Sequence, residues 1–207
     1  MILKIVPGGA FVENTYILQS KNSKELILVD PGSQTLEIEE SLSDLSFTSI
    51  HIWNTHGHLD HAYGADYFIK KYKADFNIHK KEIPILQAMT TAASRFGIPE
   101  FSDAVVPEID NFIEEEKQYE VGNLNFKTLL VPGHSPGSIC FHFTRELNPE
   151  EGLEEDLMIC GDTVFARSVG RVDLTGGTNM EELLGNIAKK ILTLKESTIL
   201  FPGHGPR

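Results

Sequence analysis

Ile50-His51-Ile52-Trp53-Asn54-Thr55-His56-Gly57-His58-Leu59-Asp60-His61 is the stretch on which the reading of this chain turns. An apolar run, Ile50 to Trp53, ends at Asn54-Thr55, and three imidazoles and one carboxylate then fall within His56 to His61. In an extended segment side chains two apart share a face, so His56 and His58 point the same way and can grip one metal ion together. Where the chain turns into a helix near residue 61, Asp60 and His61 are carried to the other side of the turn. A second donor pair then lies beside the first. Imidazole nitrogen and carboxylate oxygen suit zinc, and equally iron or manganese. A cluster this dense at a strand end has no structural purpose that simpler residues would not serve.

Four donors from one segment cannot complete two coordination shells, so further ligands are expected from distant loops. Three occur at predicted strand ends: His134 in Val131-Pro132-Gly133-His134-Ser135-Pro136-Gly137, Asp162 in Cys160-Gly161-Asp162-Thr163, and His204 in Phe201-Pro202-Gly203-His204-Gly205. Each sits beside glycine, which permits the tight turns a ligand loop needs. Alone, each reads as an ordinary turn residue; beside the first cluster, each reads as a ligand. Of the other histidines, His51 and His142 alternate with apolar residues in strands and His79 ends a strand, so they are assigned structural or surface positions. Asp30, in Leu28-Val29-Asp30-Pro31-Gly32, reads equally as a turn aspartate or as a group orienting a ligand from outside.

Short β-branched or aromatic runs predict strands near 2–6, 14–19, 25–30, 49–54, 75–79, 124–131, 138–143, 157–161 and 198–201. Helical spacing predicts helices near 34–45, 62–73, 80–95 and 180–194. An early strand meander followed by alternating strands and helices points to a layered α/β protein. Residues 95–120 and the acidic stretch Asn148 to Asp156 are expected to be solvated loops without function. Cys140 and Cys160, each inside an apolar run, are expected to be inert core residues, with Cys160 a minor alternative as a neighbour of Asp162.

The 207 residues carry a formal net charge of −12. That balance argues against a nucleic-acid or anionic-membrane surface, which needs clustered Lys and Arg. A bound metal pair would add about four positive charges locally, so an anionic substrate is compatible with it. No basic segment with a long apolar run opens the chain, and no apolar run approaches the roughly 20 residues that span a bilayer. A cytoplasmic protein of one domain over residues 1–207 is expected.

On these motifs the chain resembles the metallo-β-lactamase superfamily, most closely its glyoxalase II-like branch of thioester hydrolases. The likeness runs from Asn14-Thr15-Tyr16 and Asp30-Pro31-Gly32, through Thr55 to His61, to Pro132 to Gly137, Gly161-Asp162-Thr163-Val164-Phe165, Ser168 to Leu174, and Pro202 to Pro206. It implies an αββα sandwich, two mixed sheets with helices outside, and a site at the sheets' edge. It also implies two divalent metal ions, zinc by preference and iron or manganese as alternatives. One would be held by His56, His58 and His134, the other by Asp60, His61 and His204, with Asp162 bridging. Asp60 would further orient a hydroxide that attacks a small-molecule thioester such as S-lactoylglutathione. Arg171, in Gly170-Arg171-Val172-Asp173, falls where such hydrolases often place a basic substrate-binding residue, although pairing with Asp173 is an equal reading.

Full glyoxalase II enzymes add a C-terminal helical domain that helps hold glutathione, whereas this sequence ends directly after the last ligand loop. The expectation is a hydrolase domain without that addition, its thiol carrier open. Residues 81–97 are assigned mainly to packing, or else to a cover over the cleft. The rival within the resemblance is a persulfide dioxygenase with one iron; a lactone or phosphoester hydrolase is a further alternative. A lactamase fits poorly with Asp60 and the Gly-Arg-x-Asp pattern.

Overall fold

The computed structural model describes residues 1–207, and its order of elements follows from a simple alternation of side chains. Strands β1 (Ile2–Gly8), β2 (Glu13–Gln19) and β3 (Glu25–Val29) form an antiparallel meander. Helix α1 (Thr35–Leu42) leads into β4 (Ser49–Trp53), helices α2 (Leu59–Ala62) and α3 (Ala65–Tyr72) into β5 (Asp75–His79), and α4 (Ile83–Gln87) and α5 (Met89–Phe96) into β6 (Asn111–Ile113). These six strands lie in one sheet in sequence order, with β3 to β6 parallel. The second sheet holds β7 (Gln118–Val121), β8 (Leu124–Leu130), β9 (Ile139–Phe143), β10 (Leu157–Gly161) and, after a ribbon of β11 (Val164–Phe165) and β12 (Ser168–Val169) and helix α6 (Met180–Lys190), β13 (Ile199–Pro202). β10 and β13 are parallel, the rest of that sheet antiparallel.

Residues along each strand alternate between two apolar layers, because successive side chains leave opposite faces of the sheet. In β3, Leu26 and Leu28 pack outward against helices with Ile38, Leu42 and Phe68, while Ile27 and Val29 pack inward. In β9 and β10, Phe141 and Ile159 point inward, and Cys140, Met158 and Cys160 meet Leu183 and Ile187 of α6 and Ile191 just after it. The result is helix, sheet, sheet, helix, with both faces of each sheet buried, as the αββα reading requires. Burial on two faces also explains why these strands read as continuous apolar runs.

Trp53 lies in the middle layer with its ring 4.9 Å from those of Phe126 and Tyr119 and 6.0 Å from Phe141, all edge-on. Both cysteines are buried and free, and no helix is long and apolar enough to cross a membrane.

Three expectations need correction. Residues 95–120 are not all loop: β6 and β7 are edge strands of the two sheets. At three and four residues, with mostly exposed faces, they carry too little apolar alternation to be recognised. The acidic stretch 148–156 is only partly solvated, since Asn148, Glu151 and Asp156 are buried. Glu151 pairs with the amino group of Met1 and accepts from Ser20, and Asp156 pairs with Lys195 at 2.8 Å. The helix over 80–95 is broken into a 3-10 turn, α4 and α5, with α5 ending at Gly97 in the left-handed region.

Phe126→Ala removes a fully buried ring from the layer between the sheets and is expected to destabilise the fold by about 3–5 kcal/mol. Urea unfolding followed by the fluorescence of Trp53, the sole tryptophan, measures it; a loss below about 1 kcal/mol would show that the sheets do not depend on this packing.

Candidate metal centre

Every predicted ligand comes to one edge of the sandwich, because each follows the C-terminal end of a strand. His56, His58, Asp60 and His61 follow β4, His134 follows β8, Asp162 follows β10 and His204 follows β13. Two triads have donor atoms lying within 4.8 Å of one another: His56, His58 and His134, and Asp60, His61 and His204. Asp162 reaches both. Its Oδ1 is 3.4 Å from His61 Nε2, and its Oδ2 lies 3.5 Å from His134 Nε2 and 3.6 Å from His204 Nε2.

The hydrogen bonds on the far side of each ring fix which nitrogen faces inward. His134 Nδ1 donates to the carbonyl of Arg171 at 2.7 Å, and His58 Nε2 donates to the carbonyl of Thr175 at 3.0 Å. The Thr55 hydroxyl donates to Asp30 Oδ2 at 2.6 Å and so accepts from His56 Nδ1 at 3.0 Å. In the neutral rings, three bare lone pairs then converge: His134 Nε2 is 2.9 Å from His58 Nδ1 and 3.2 Å from His56 Nε2. No proton arrangement of neutral rings satisfies all three, whereas a cation between them does.

The second triad obeys the same logic. His61 Nδ1 donates to Asp30 Oδ2 at 3.0 Å, and His204 Nδ1 donates to the carbonyl of Phe11 at 3.1 Å. Their Nε2 atoms face Asp60 and Asp162; His204 Nε2 is 3.3 Å from Asp60 Oδ2. His61 Nε2 and Asp162 Oδ1 are buried without a hydrogen-bond partner. Orphaned, inward-facing nitrogen and carboxylate atoms fit a divalent cation, and a nitrogen and oxygen donor set suits zinc, iron or manganese.

Asp30 also lies within reach of His56 and His61, but its oxygens are already occupied by the Thr55 N–H at 2.7 Å, the Thr55 hydroxyl and the His61 Nδ1–H. Its oxygens are therefore spent on holding Thr55 and the His61 ring, which favours the orienting one of its two sequence readings. Asp30 holds them from a left-handed backbone, φ 50°, a conformation aspartate tolerates better than most residues. Close approach of the loops needs glycine at two places. A Cβ on Gly203 would stand 2.3 Å from Asp162 Oδ1, and one on Gly161, at φ 48°, would stand 2.4 Å from Thr55 Oγ1.

Glu82 escaped the sequence reading. Fully buried, it accepts the Gly57 N–H at 2.8 Å and the Gly137 N–H at 2.6 Å, tying the loop after β4 to the loop after β8. Nothing in Lys80-Lys81-Glu82 marks this, since a charged triplet ordinarily reads as a solvated face. Arg171 lies on the cleft above the metal centre, its guanidinium paired with Asp173 through bonds of 2.9 and 2.8 Å, while its carbonyl holds His134. His51 pairs with Asp75 and His79 accepts from the Lys81 N–H, both away from the cluster.

Burial lowers the pKa of His56 and His58 and takes that of His134 down to about 4, so these rings are neutral and ready to ligate. Burial opposes charge on His61 and His204 as well, but Asp162 and Asp60 outweigh it and raise both. The upward shift on those two rings means that protons compete with metal for them. Apparent metal affinity is therefore expected to rise with pH above the ordinary histidine range, with protons released on binding. Calorimetric titration in buffers of different ionisation enthalpy counts them, and an affinity flat across that range would contradict the assignment. Glu82→Ala leaves two buried N–H groups without acceptors, at about 1–3 kcal/mol each. Chemical unfolding should show that loss, and Glu82→Gln, which retains one acceptor oxygen, should recover part of it.

Comparison with known proteins places the chain in a family. The profile of the metallo-beta-lactamase superfamily matches residues 8–204. A probable metallo-hydrolase, YqgX of Bacillus subtilis (strain 168), is 32% identical over 201 residues, covering 97% of this chain and 89% of the relative. Hydroxyacylglutathione hydrolase GloC of Haemophilus influenzae is 28% identical over 208 residues, covering 99% and 91%. Among solved structures, the B3 metallo-beta-lactamase BLEG-1 superposes with a TM-score of 0.80 at 30% identity, covering 99% of this chain and 92% of that one. TTHA1623 in a di-iron-bound form gives 0.78 at 27%, covering 98% and 92%. With its layered sheets and a histidine-rich centre at their edge, the chain belongs to the metallo-beta-lactamase superfamily, whose relatives support a metal-dependent hydrolase.

Proposed function

We propose that this protein is a dinuclear metal-dependent thioesterase of the glyoxalase II type. The observation that carries the reading is Asp162, whose two carboxylate oxygens face different donor groups, Oδ1 toward His61 and Oδ2 toward His134 and His204. A carboxylate so disposed would serve two adjoining ions, with His56, His58 and His134 available to hold one and Asp60, His61 and His204 the other. The similarity to GloC supports a thioester as substrate, and the similarity to a di-iron protein keeps iron beside zinc as the metal.

When bound, such a pair supplies Lewis acidity, lowering the pKa of water toward about 7 and polarising a carbonyl. The chain's own residues do the rest. Asp60, on the floor of the cleft and beside His204, holds the attacking water in line with the carbonyl. His58 and His134 stand on the same floor and fix the carbonyl's side of approach. Arg171 takes a substrate carboxylate by exchanging it for Asp173; that pair is exposed and screened by solvent, so an incoming anion competes with it. No serine or cysteine nucleophile is required, and both cysteines are buried away from the cleft.

The test is metal content of the purified protein together with thiol release from S-lactoylglutathione, repeated on Asp60→Ala and His134→Ala. Near two metals per chain and thiol release reduced at least about 100-fold in both variants are expected, since losing a ligand should exceed the 10–100-fold effect of losing an orienting group. One iron per chain, with oxygen uptake on a glutathione persulfide and no thiol release, would assign a dioxygenase instead. Turnover of a chromogenic cephalosporin without thiol release would assign a lactamase.

A further inference from the structure

The cleft above the metal centre encloses about 1020 Å³, at the upper end of the usual range for small-molecule sites. That space exceeds what a small acyl group needs and leaves room for a carrier of tripeptide size. Its lining is unlike the rest of the molecule. The chain has five arginines and a net charge of −12, yet three of the five, Arg95, Arg167 and Arg171, line this one cleft, and no lysine does. The acidic residues of the lining are already engaged: Asp60 and Asp162 belong to the metal centre, and Asp173 is bound to Arg171. Arg95 and Arg167 are exposed, and neither makes a salt bridge or a side-chain hydrogen bond, whereas Arg171 beside them makes both.

The two free guanidinium groups come from different halves of the sandwich. Arg95 stands in the last turn of α5, which packs on the helices of the first sheet, and Arg167 in the turn between β11 and β12, which contacts β13 of the second. Each has an aromatic neighbour on the same wall, Phe96 and Phe165. A guanidinium offers a planar fork of donors matched to a carboxylate, and the neighbouring ring offers an apolar surface for the rest of the ligand.

We propose that Arg95 and Arg167 form a two-sided anion site at the mouth of the cleft, and that the substrate's non-reacting end carries carboxylate charge. This rests on the thioesterase reading and narrows it: the favoured thioester is one with an anionic carrier, held between the two walls while its apolar portion lies along Phe96 and Phe165. Arg95 and Arg167 are binding residues, remote from the reacting carbonyl.

The experiment compares two thioesters of the same acyl group, S-lactoylglutathione and the uncharged S-lactoyl-N-acetylcysteamine, on the metal-loaded protein. The preference for the anionic carrier, read as the ratio of their kcat/KM values, is expected to fall at least about 10-fold in Arg95→Ala/Arg167→Ala, mainly through KM, and to be largely kept in the double lysine variant. An unchanged ratio in the double alanine variant overturns the proposal, as does an equal fall in the lysine variant accompanied by loss of bound metal. If the wild type releases thiol from neither substrate, the thioesterase reading fails, and calorimetry with S-hexylglutathione still decides the anion site. Binding that weakens at least about 10-fold in the double alanine variant and with added salt supports it; binding indifferent to both refutes it.

Discussion

Converging lone pairs repel one another, and the centre of this protein gathers three bare imidazole nitrogens within 2.9 to 3.2 Å of their nearest neighbours. Such an arrangement stands only if each ring is held from behind and if a cation offsets the repulsion in front. Everything around the site serves the first condition. The rings are pinned by backbone carbonyls of Arg171, Thr175 and Phe11 and by the Thr55 and Asp30 side chains. The pins in turn rest on strand ends that two buried sheets hold rigid. A fold with helices on both outer faces is what allows four strand ends, those of β4, β8, β10 and β13, to be buried and still open onto one cleft.

Two carboxylates outside the ligand set bind the loops into one unit. Asp30 links the end of β3 to the loop after β4, and Glu82 links that loop to the one after β8. Both are buried, at a cost that pushes the pKa of Glu82 up; the backbone N–H groups of Gly57 and Gly137 work against that shift. These bonds cross between segments far apart in sequence, so the distances between donors are set by side chain to backbone contacts and not by loop length.

Much of this was legible in the sequence, for identifiable reasons. The strands of the two sheet interiors are apolar on both faces and long enough to show it, and His56 to His61 packs more metal donors into six positions than a turn alone would ever require. Asp30 could be placed near the site, but its role depended on which hydrogen bonds its oxygens accept, and spacing does not carry that. Glu82 was invisible because burial of a charged residue is decided by what packs over it. Edge strands β6 and β7 were missed because a strand with one exposed side and three or four residues has almost no pattern to read. Arg95 was read as part of a solvated segment without function because, on its own helix, it is an ordinary exposed residue; the role proposed for it arises from Arg167, which the fold brings in from 72 positions away.

The candidate metal donors stand at the ends of strands in the two large sheets, whereas Arg95, Phe96, Phe165 and Arg167 stand on α5 and on a ribbon of two-residue strands. Substitution of these side chains on the helix and the ribbon can therefore leave the strand ends beneath them in place. A lineage built this way can exchange one substrate for another in small steps while its reactive centre stays intact throughout.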